Sequence, residues 1–259
     1  MVVADLHVHT TNSDGTLTME TLPAAAEAAS LELVAVTDHD RLHPELQRPV
    51  STREGITVVH GIELRVETPG QRIDLLGYGV EQTPELLDLV ERLQTDRIDR
   101  AKAIVDCIES RLGVELDVSF EPGVGRPHIG RAVAESKADL DYAAAFEELI
   151  GDGCPCYVAR DIPSFETGRQ ILDRSCTLVG LAHPFRYDDT GAALDRAKTL
   201  EAIEVAYPYG SDVDTEPAAR VAQEHDLIVT GGSDAHDETL GLAGIEGDAY
   251  ARFRSCLDI

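Results

Sequence analysis

The sequence predicts an α/β fold, a TIM-like barrel with a helical insertion, on three observations. Apolar runs of strand length alternate with helical patterns at both ends of the chain. Nearly every such run empties into histidines and carboxylates. One long stretch, residues 84–159, is helical in pattern with almost no strand. Strand–loop–helix repeats build a parallel sheet with helices outside, and a barrel collects the strand ends at one rim.

Taken in order, Val2-Val3-Ala4 reads as the first strand, ending in Asp5-Leu6-His7-Val8-His9. Residues two apart on a strand share a face, so His7 and His9 project together, about 7 Å apart along the backbone. A polar loop, Thr10 to Gly15, follows. Thr18 to Ser30 is a helix capped by Thr18 and filled with alanine. Leu33 to Thr37 is a buried strand feeding Asp38-His39-Asp40, and Ile56 to Ile62 is a strand delivering Glu63. Arg72 to Tyr78 is a fourth strand, carrying Asp74.

Pro84 to Leu112 has helical periodicity, with a short strand expected at Val114-Glu115-Leu116. Gly123 to Pro127 breaks the pattern before helices at His128–Glu135 and Tyr142–Leu149. The expected division is a barrel from 1–83 and 160–259 and an insertion from 84–159 that forms part of the substrate site. The alternation then resumes with strands at Thr177–Ala182, Ala202–Val205 and Leu227–Thr230, the first ending at His183-Pro184 and the last at Gly231 to His236. Glu216–Glu224 is a helix between them.

Composition bounds the function. With 259 residues and 43% hydrophobic side chains the chain can bury a core. No apolar run reaches the roughly 20 residues of a membrane span. The N-terminus has neither a basic segment nor a secretory apolar run, so the expected location is cytoplasmic. Net charge is -26, with 22 basic against 48 acidic residues, which repels long duplex nucleic acid. A salt-rich cytoplasm and a plain acidic protein both fit that charge. The five cysteines are odd in number and read as thiols.

Of nine histidines, five sit at strand ends: His7, His9, His39, His183 and His236. One such histidine is ordinarily a cap or a solvated side chain, but a barrel gathers all five around one axis. With Glu63, Asp74 and Asp234 they form a nitrogen and oxygen donor set without cysteine. Such a set suits manganese, zinc or iron(II), with magnesium also compatible. Glu63 has two oxygens and is the best bridge between two ions. Paired ions clamp an in-line displacement at phosphorus and lower the pKa of a bound water.

The motifs Asp5-Leu6-His7-Val8-His9-Thr10, Ser13-Asp14-Gly15, Thr37-Asp38-His39-Asp40, Gly61-Ile62-Glu63, Ala182-His183-Pro184 and Gly232-Ser233-Asp234-Ala235-His236 together resemble the PHP (polymerase and histidinol phosphatase) superfamily. The resemblance implies a distorted, TIM-like (β/α)7 barrel holding two or three divalent ions. Carried over, it implies a first ion on His7, His9, Glu63 and Asp234, a second on Glu63 and His183, and a third on Asp14, His39 and His236. It is similar, more narrowly, to stand-alone members acting on 3′,5′-nucleoside bisphosphates and on the 5′ ends of short RNA. Those also carry an Arg-rich helix, here Arg97 and Arg100, and an Arg-Pro-His run, here Arg126-Pro127-His128 with Arg131, and an arginine after His-Pro, here Arg186. Arg126, His128 and Arg186 are thereby expected to bind substrate phosphate, while surface ion pairs are the expectation for Arg97, Arg100 and Arg131. Two readings of His128 stay open, phosphate donor or helix start. Relatives usually have histidine where Asp74 stands; aspartate either shifts preference toward manganese or magnesium, or empties the second site.

The implied reaction is hydrolysis of a phosphate mono- or diester by a metal-bound hydroxide. Arg186 grips phosphate, and His39 or His236 assists the leaving oxygen where the third ion is missing. Two rivals stand beside it. A metal amidohydrolase shares the His-x-His strand, but many need a strand-end lysine, and Lys102, Lys137 and Lys198 lie elsewhere. A non-catalytic metal-binding scaffold would leave the ligand set without use.

Overall fold

The structure is a computed structural model describing residues 1–210 and 213–259. It forms two compact units, residues 1–88 with 162–259, and residues 89–161.

The first unit is a nearly closed barrel. Its strands are β1 (Ala4–Val8), β2 (Leu33–Val36), β3 (Val50–Arg53), β4 (Ile56–Thr68), β5 (Gln71–Tyr78), β6 (Leu178–Leu181), β7 (Ala202–Ala206) and β8 (Ile228–Gly231). They pair in the order β1-β2-β4-β5-β6-β7-β8, with β3 added to β4. Val8 bridges Ala235 beyond β8, and the His9 N–H donates to the Ala235 carbonyl at 2.9 Å, which draws the ends of the path together. One apolar cluster takes a side chain from each of the seven strands on that path, including Leu6, Ala35, Val59, Tyr78, Leu178, Ala202 and Ile228. A second cluster packs α1 (Leu22–Ala28) against Val34, Val36 and Val58, the alternate residues of the same strands.

Four expectations are corrected here. The sheet is mixed, because β5 runs antiparallel to both β4 and β6. The cause is local: Thr68 pairs with Gln71 around Pro69-Gly70, and Gly70 takes φ +92°. Proline then glycine is the preferred pair for a type II turn, whose second central residue needs positive φ. Glu63 and Asp74 therefore lie inside long strands, not at strand ends. The first strand starts later than the apolar run suggests, because Val3 and Ala4 N–H groups are bound by the Ile245 carbonyl. Helix α1 starts at Leu22, since the Thr18 and Thr21 hydroxyls bond each other in a turn ahead of it. Strand β3, a hairpin partner of β4, was not anticipated.

The second unit contains most of α2 (Pro84–Leu112), α3 (Arg126–Glu135) and α4 (Tyr142–Ala145), which runs on as a wider helical turn over Phe146–Ile150. Ile104, Ile108, Ile129, Val133 and Ile150 share its core. Val114 to Leu116 forms no strand; the Leu116 N–H donates to the Glu109 side chain instead. The expectation of five thiols is also corrected, since Cys107 and Cys156 are joined by a disulfide with Cα atoms 5.6 Å apart. An odd count leaves one cysteine over but does not forbid pairs among the rest, and Cys107 and Cys156 sit at the same apolar core. Cys154, Cys176 and Cys256 are thiols.

After the insertion come α5 (Phe165–Ser175), α6 (Thr190–Ala197), α7 (Glu216–Glu224) and α8 (Gly247–Cys256), all in the barrel unit. Among the described residues no helix is long and apolar enough to cross a membrane.

Candidate metal centre

The barrel unit brings all nine expected metal-ligand residues to one cluster. His7 comes from β1, where alternation breaks: Leu6 joins the inner apolar cluster and Val8 the outer one, and the ladder slips between Asp5 and Val8. Such an irregularity re-aims side chains, and the His7 and His9 rings end 5.1 Å apart. His39 follows β2, His183 follows β6, and Asp234 and His236 follow β8. Asp14 lies in the loop after β1.

Their donor atoms fall into overlapping sets, each within 4.8 Å: His9, Asp14, His39 and His236; His7, His9 and Glu63; His7, His183 and Asp234; and Glu63, Asp74 and His183. Glu63 belongs to two sets. Its Oε1 lies 3.0 Å from His183 Nε2 and 3.5 Å from His7 Nε2. Its Oε2 lies 2.5 Å from His39 Nδ1 and 3.5 Å from His9 Nε2. Asp234 Oδ1 is 3.0 Å from His9 and 3.5 Å from His7. His236 Nε2 is 3.3 Å from Asp14 Oδ1.

Whether these residues fit a cation is decided by what they lack. His7 Nε2, His9 Nε2, Glu63 Oε2 and Asp234 Oδ1 are buried without a well-formed hydrogen bond among the described residues. Buried polar atoms are nearly always satisfied. Four lone-pair atoms converging unsatisfied is what a divalent cation needs.

Charge also holds the cluster together. Burial opposes ionisation of Glu63, Asp14 and Asp234, yet the surrounding imidazoles outweigh it and keep all three carboxyls below their usual range. Burial likewise lowers His7, but Glu204, Asp234 and Glu63 overcome it and raise that imidazole well above its ordinary value. Burial and the nearby His39 leave His9 lowered. His236 is raised by Asp14 and Asp234 against its burial.

Several residues that shape the site were missed in sequence. Glu204, buried in β7, sets His7 from behind: its Oε1 lies 3.2 Å from His7 Nδ1, and its Oε2 accepts the His183 N–H at 2.7 Å. That leaves His7 Nε2 facing the cluster. Asp38, read in sequence only as a strand-end residue beside His39, accepts from Thr10, Asn12 and Ser13 and so fastens the loop bearing Asp14. Asp5 does the same for the loop after β8, accepting the Ser233 and Gly241 N–H groups. That loop presses on β1 at Gly232, where a Cβ would stand 2.3 Å from the His7 Cβ. His183 and Asp234 both hold positive φ, 25° and 50°. His183 also precedes a proline, and such strain gathers at functional sites.

Asp74 does not stand as a free ligand. Its Oδ1 accepts from Arg65 Nε at 2.6 Å and its Oδ2 from Arg65 Nη2 at 2.5 Å. Arg65 was missed, although the Pro69-Gly70 turn places it opposite Asp74. The attraction of Asp74 keeps Arg65 firmly protonated.

Arg186 lies at the rim, 54% exposed, donating to Asp234 Oδ2 at 3.1 Å and to the Tyr207 hydroxyl at 2.7 Å. The Tyr207 hydroxyl in turn donates to Asp234 Oδ2 at 2.8 Å. Arg126 and His128 lie in the second unit. There Arg126 pairs with Asp152 at 2.9 Å, and His128 Nδ1 accepts the Gly125 N–H at the start of α3. The surface ion pairs expected of Arg97 and Arg100 are corrected: both are buried, and they donate to the carbonyls of Val124 and Val158.

Residues 5–151 match the PHP domain. The chain belongs to the PHP family. A 3′,5′-nucleoside bisphosphate phosphatase of Chromobacterium violaceum is 27% identical over 91% of this chain and 88% of its own length. A 5′-3′ exoribonuclease of Haemophilus influenzae is 26% identical over 90% of this chain and 89% of its own. In fold, the chain superposes on a structure from Bifidobacterium adolescentis described as a metal-dependent phosphoesterase. The TM-score is 0.79 at 22% identity, covering 98% of this chain and 96% of that one. The barrel unit, with its reversed strand β5, is a distorted TIM-like barrel.

Proposed function

We propose that this PHP-family chain is a metal-dependent phosphoesterase that hydrolyses small phosphate mono- or diesters. The observation that carries the reading is that His7 Nε2, His9 Nε2, Glu63 Oε2 and Asp234 Oδ1 are buried and unsatisfied among the described residues, in donor sets that overlap at His7. Relatives named for bisphosphate and RNA cleavage support nucleoside 3′,5′-bisphosphates and 5′ ends of short RNA as substrates.

His7, His9, Glu63 and Asp234 would hold one divalent ion, and Asp14, His39 and His236 another. Manganese, zinc and iron(II) suit the mixed imidazole and carboxylate donors, and magnesium suits them less well. What such ions supply is Lewis acidity toward a phosphoryl oxygen and a water acidic enough to ionise near neutrality.

The chain's own residues do the rest. Arg186 is a planar, permanent cation at the rim, placed to hold a non-bridging phosphate oxygen. On a surface of charge -26 this is local attraction for an anion. Tyr207 and Asp234 fix its guanidinium and limit its swing. His39 and His236 are the solvent-facing imidazoles of the cluster, with side chains 23% and 38% exposed against 0% for His7 and His9. Only with no ion on Asp14, His39 and His236 would these two imidazoles be free to deliver a proton to a departing alkoxide; with that ion bound they serve as its ligands. Arg126 and His128, on the insertion, are assigned a substrate phosphate on the strength of the motif match.

The test is hydrolysis of an aryl phosphate and of a nucleoside 3′,5′-bisphosphate, with added manganese and with chelator, beside amide substrates. Phosphate turnover that needs the metal and is lost in His9→Ala is expected. Cleavage of amides alone, or full activity in His9→Ala, overturns the reading.

A further inference from the structure

We propose that Arg65, clamped on Asp74, takes the place of one divalent ion of a three-ion cluster, so that this chain holds two. The inference rests on the metal-dependent reading above and concerns the position between Glu63, Asp74 and His183.

Three donor atoms do gather there within 4.8 Å. Their state differs from that of the first set. Both Asp74 oxygens accept from the Arg65 guanidinium, at 2.6 and 2.5 Å. A two-toothed Arg–carboxylate pair is the strong form of a charge-assisted bond. The Asp74 carboxylate is 1% exposed, and its charge is already matched. His183 Nε2 is already bonded to Glu63 Oε1 at 3.0 Å. Neither Asp74 oxygen nor His183 Nε2 is among the buried atoms without partners, whereas His7 Nε2, His9 Nε2, Glu63 Oε2 and Asp234 Oδ1 all are.

Donor count gives the same answer. With Asp74 engaged, this position offers Glu63, itself shared with the first set, and His183. Two protein donors fall short of the three that an open catalytic zinc site keeps beside its water. A divalent ion would also sit against a fixed guanidinium, since Asp74 Oδ2 is 2.5 Å from Arg65 Nη2 and 3.8 Å from His183 Nε2.

The pair is built into the backbone. Arg65 and Asp74 are direct cross-strand partners in the β4–β5 hairpin. The Arg65 N–H is held by Asp40 Oδ1 at 2.9 Å, and the Asp74 N–H by the Tyr187 hydroxyl at 2.8 Å. Arg65 lies two residues after Glu63, so both face the same side of β4.

The experiment is metal counting on the full chain loaded with manganese, by elemental analysis, with anomalous diffraction at the manganese edge to place the ions. Two ions per chain are expected, one at His7, His9, Glu63 and Asp234 and one at Asp14, His39 and His236. Arg65→Leu combined with Asp74→His should bind a third, between Glu63 and His183. Three ions in the wild-type chain overturn this proposal and leave the hydrolase reading standing, while a chain that binds none overturns both. Two ions in the double variant overturn the assignment of the exclusion to the ion pair. Should that variant fail to fold, the ion positions in the wild-type map decide alone.

Discussion

Glu204 holds two histidines of the cluster, His7 and His183, from behind: one carboxylate oxygen lies 3.2 Å from His7 Nδ1, and the other takes the His183 N–H at 2.7 Å. Its effect is to fix a ring orientation and a backbone turn with one buried charge.

Glu204→Gln follows directly. An amide has one accepting oxygen, so it cannot satisfy both donors. Manganese affinity should fall about 10–100-fold, as for other groups that orient a ligand from behind. Calorimetric titration measures it, and excess metal should restore most of the turnover. Unchanged affinity would show that Glu204 does not set His7.

Gly232→Ala tests the packing of the last loop on β1. A Cβ there would meet the His7 Cβ at 2.3 Å and the His7 backbone nitrogen at 2.4 Å. The backbone must shift, at a cost of about 1–3 kcal/mol for such overpacking. Lower thermal stability together with a reduced metal content is expected; a wild-type melting curve would contradict the close approach.

Metal binding should release protons. The carboxylates around His7 and His236 raise both imidazoles. A ligating imidazole must give up its proton on the coordinating nitrogen. Affinity should therefore rise from pH 5.5 to pH 8, and manganese added to a weakly buffered sample should acidify it. A pH-independent affinity would contradict the ligand assignment.

His60 should make the fold acid-labile. Burial lowers its pKa to about 4 from 6.5, with His43 adding to the effect. The folded state then binds fewer protons than the unfolded one between those values. Stability from this group is full above pH 6.5 and falls as pH drops toward 4, by about 3 kcal/mol in all. Urea unfolding at pH 7 and pH 4.5 should show a smaller loss for His60→Gln than for wild type. Equal losses in the two proteins would rule His60 out.

Much of this could be read in one dimension. Helices α2 and α7 begin and end where periodicity and their prolines place them, and β2 and β7 match their apolar runs within a residue. Local pattern suffices there because the buried face repeats with the element's own period. The direction of β5 was written in Pro69-Gly70, but an alternating strand looks the same in either direction, so only the turn carries the information. Arg65 was lost with it, since a charged residue in a strand has no signature until its partner across the hairpin is known. Asp5, Asp38 and Glu204 resemble ligands in composition, and the distinction from His9 or Asp234 is which way the carboxylate points. The Cys107–Cys156 bond depends on the turn after Ile150 folding back onto α2, which spacing does not encode.

The chain's letters alone determined the donor types, their order and the family, because metal-binding motifs are short and local to single strand ends. Tertiary structure decided which donors meet. Glu63 reaches His183, 120 residues away, only through sheet pairing, and hairpin register puts the Arg65 guanidinium against Asp74. Charge in a buried site goes to the nearest well-placed partner, and nearness across strands is a property of the folded sheet.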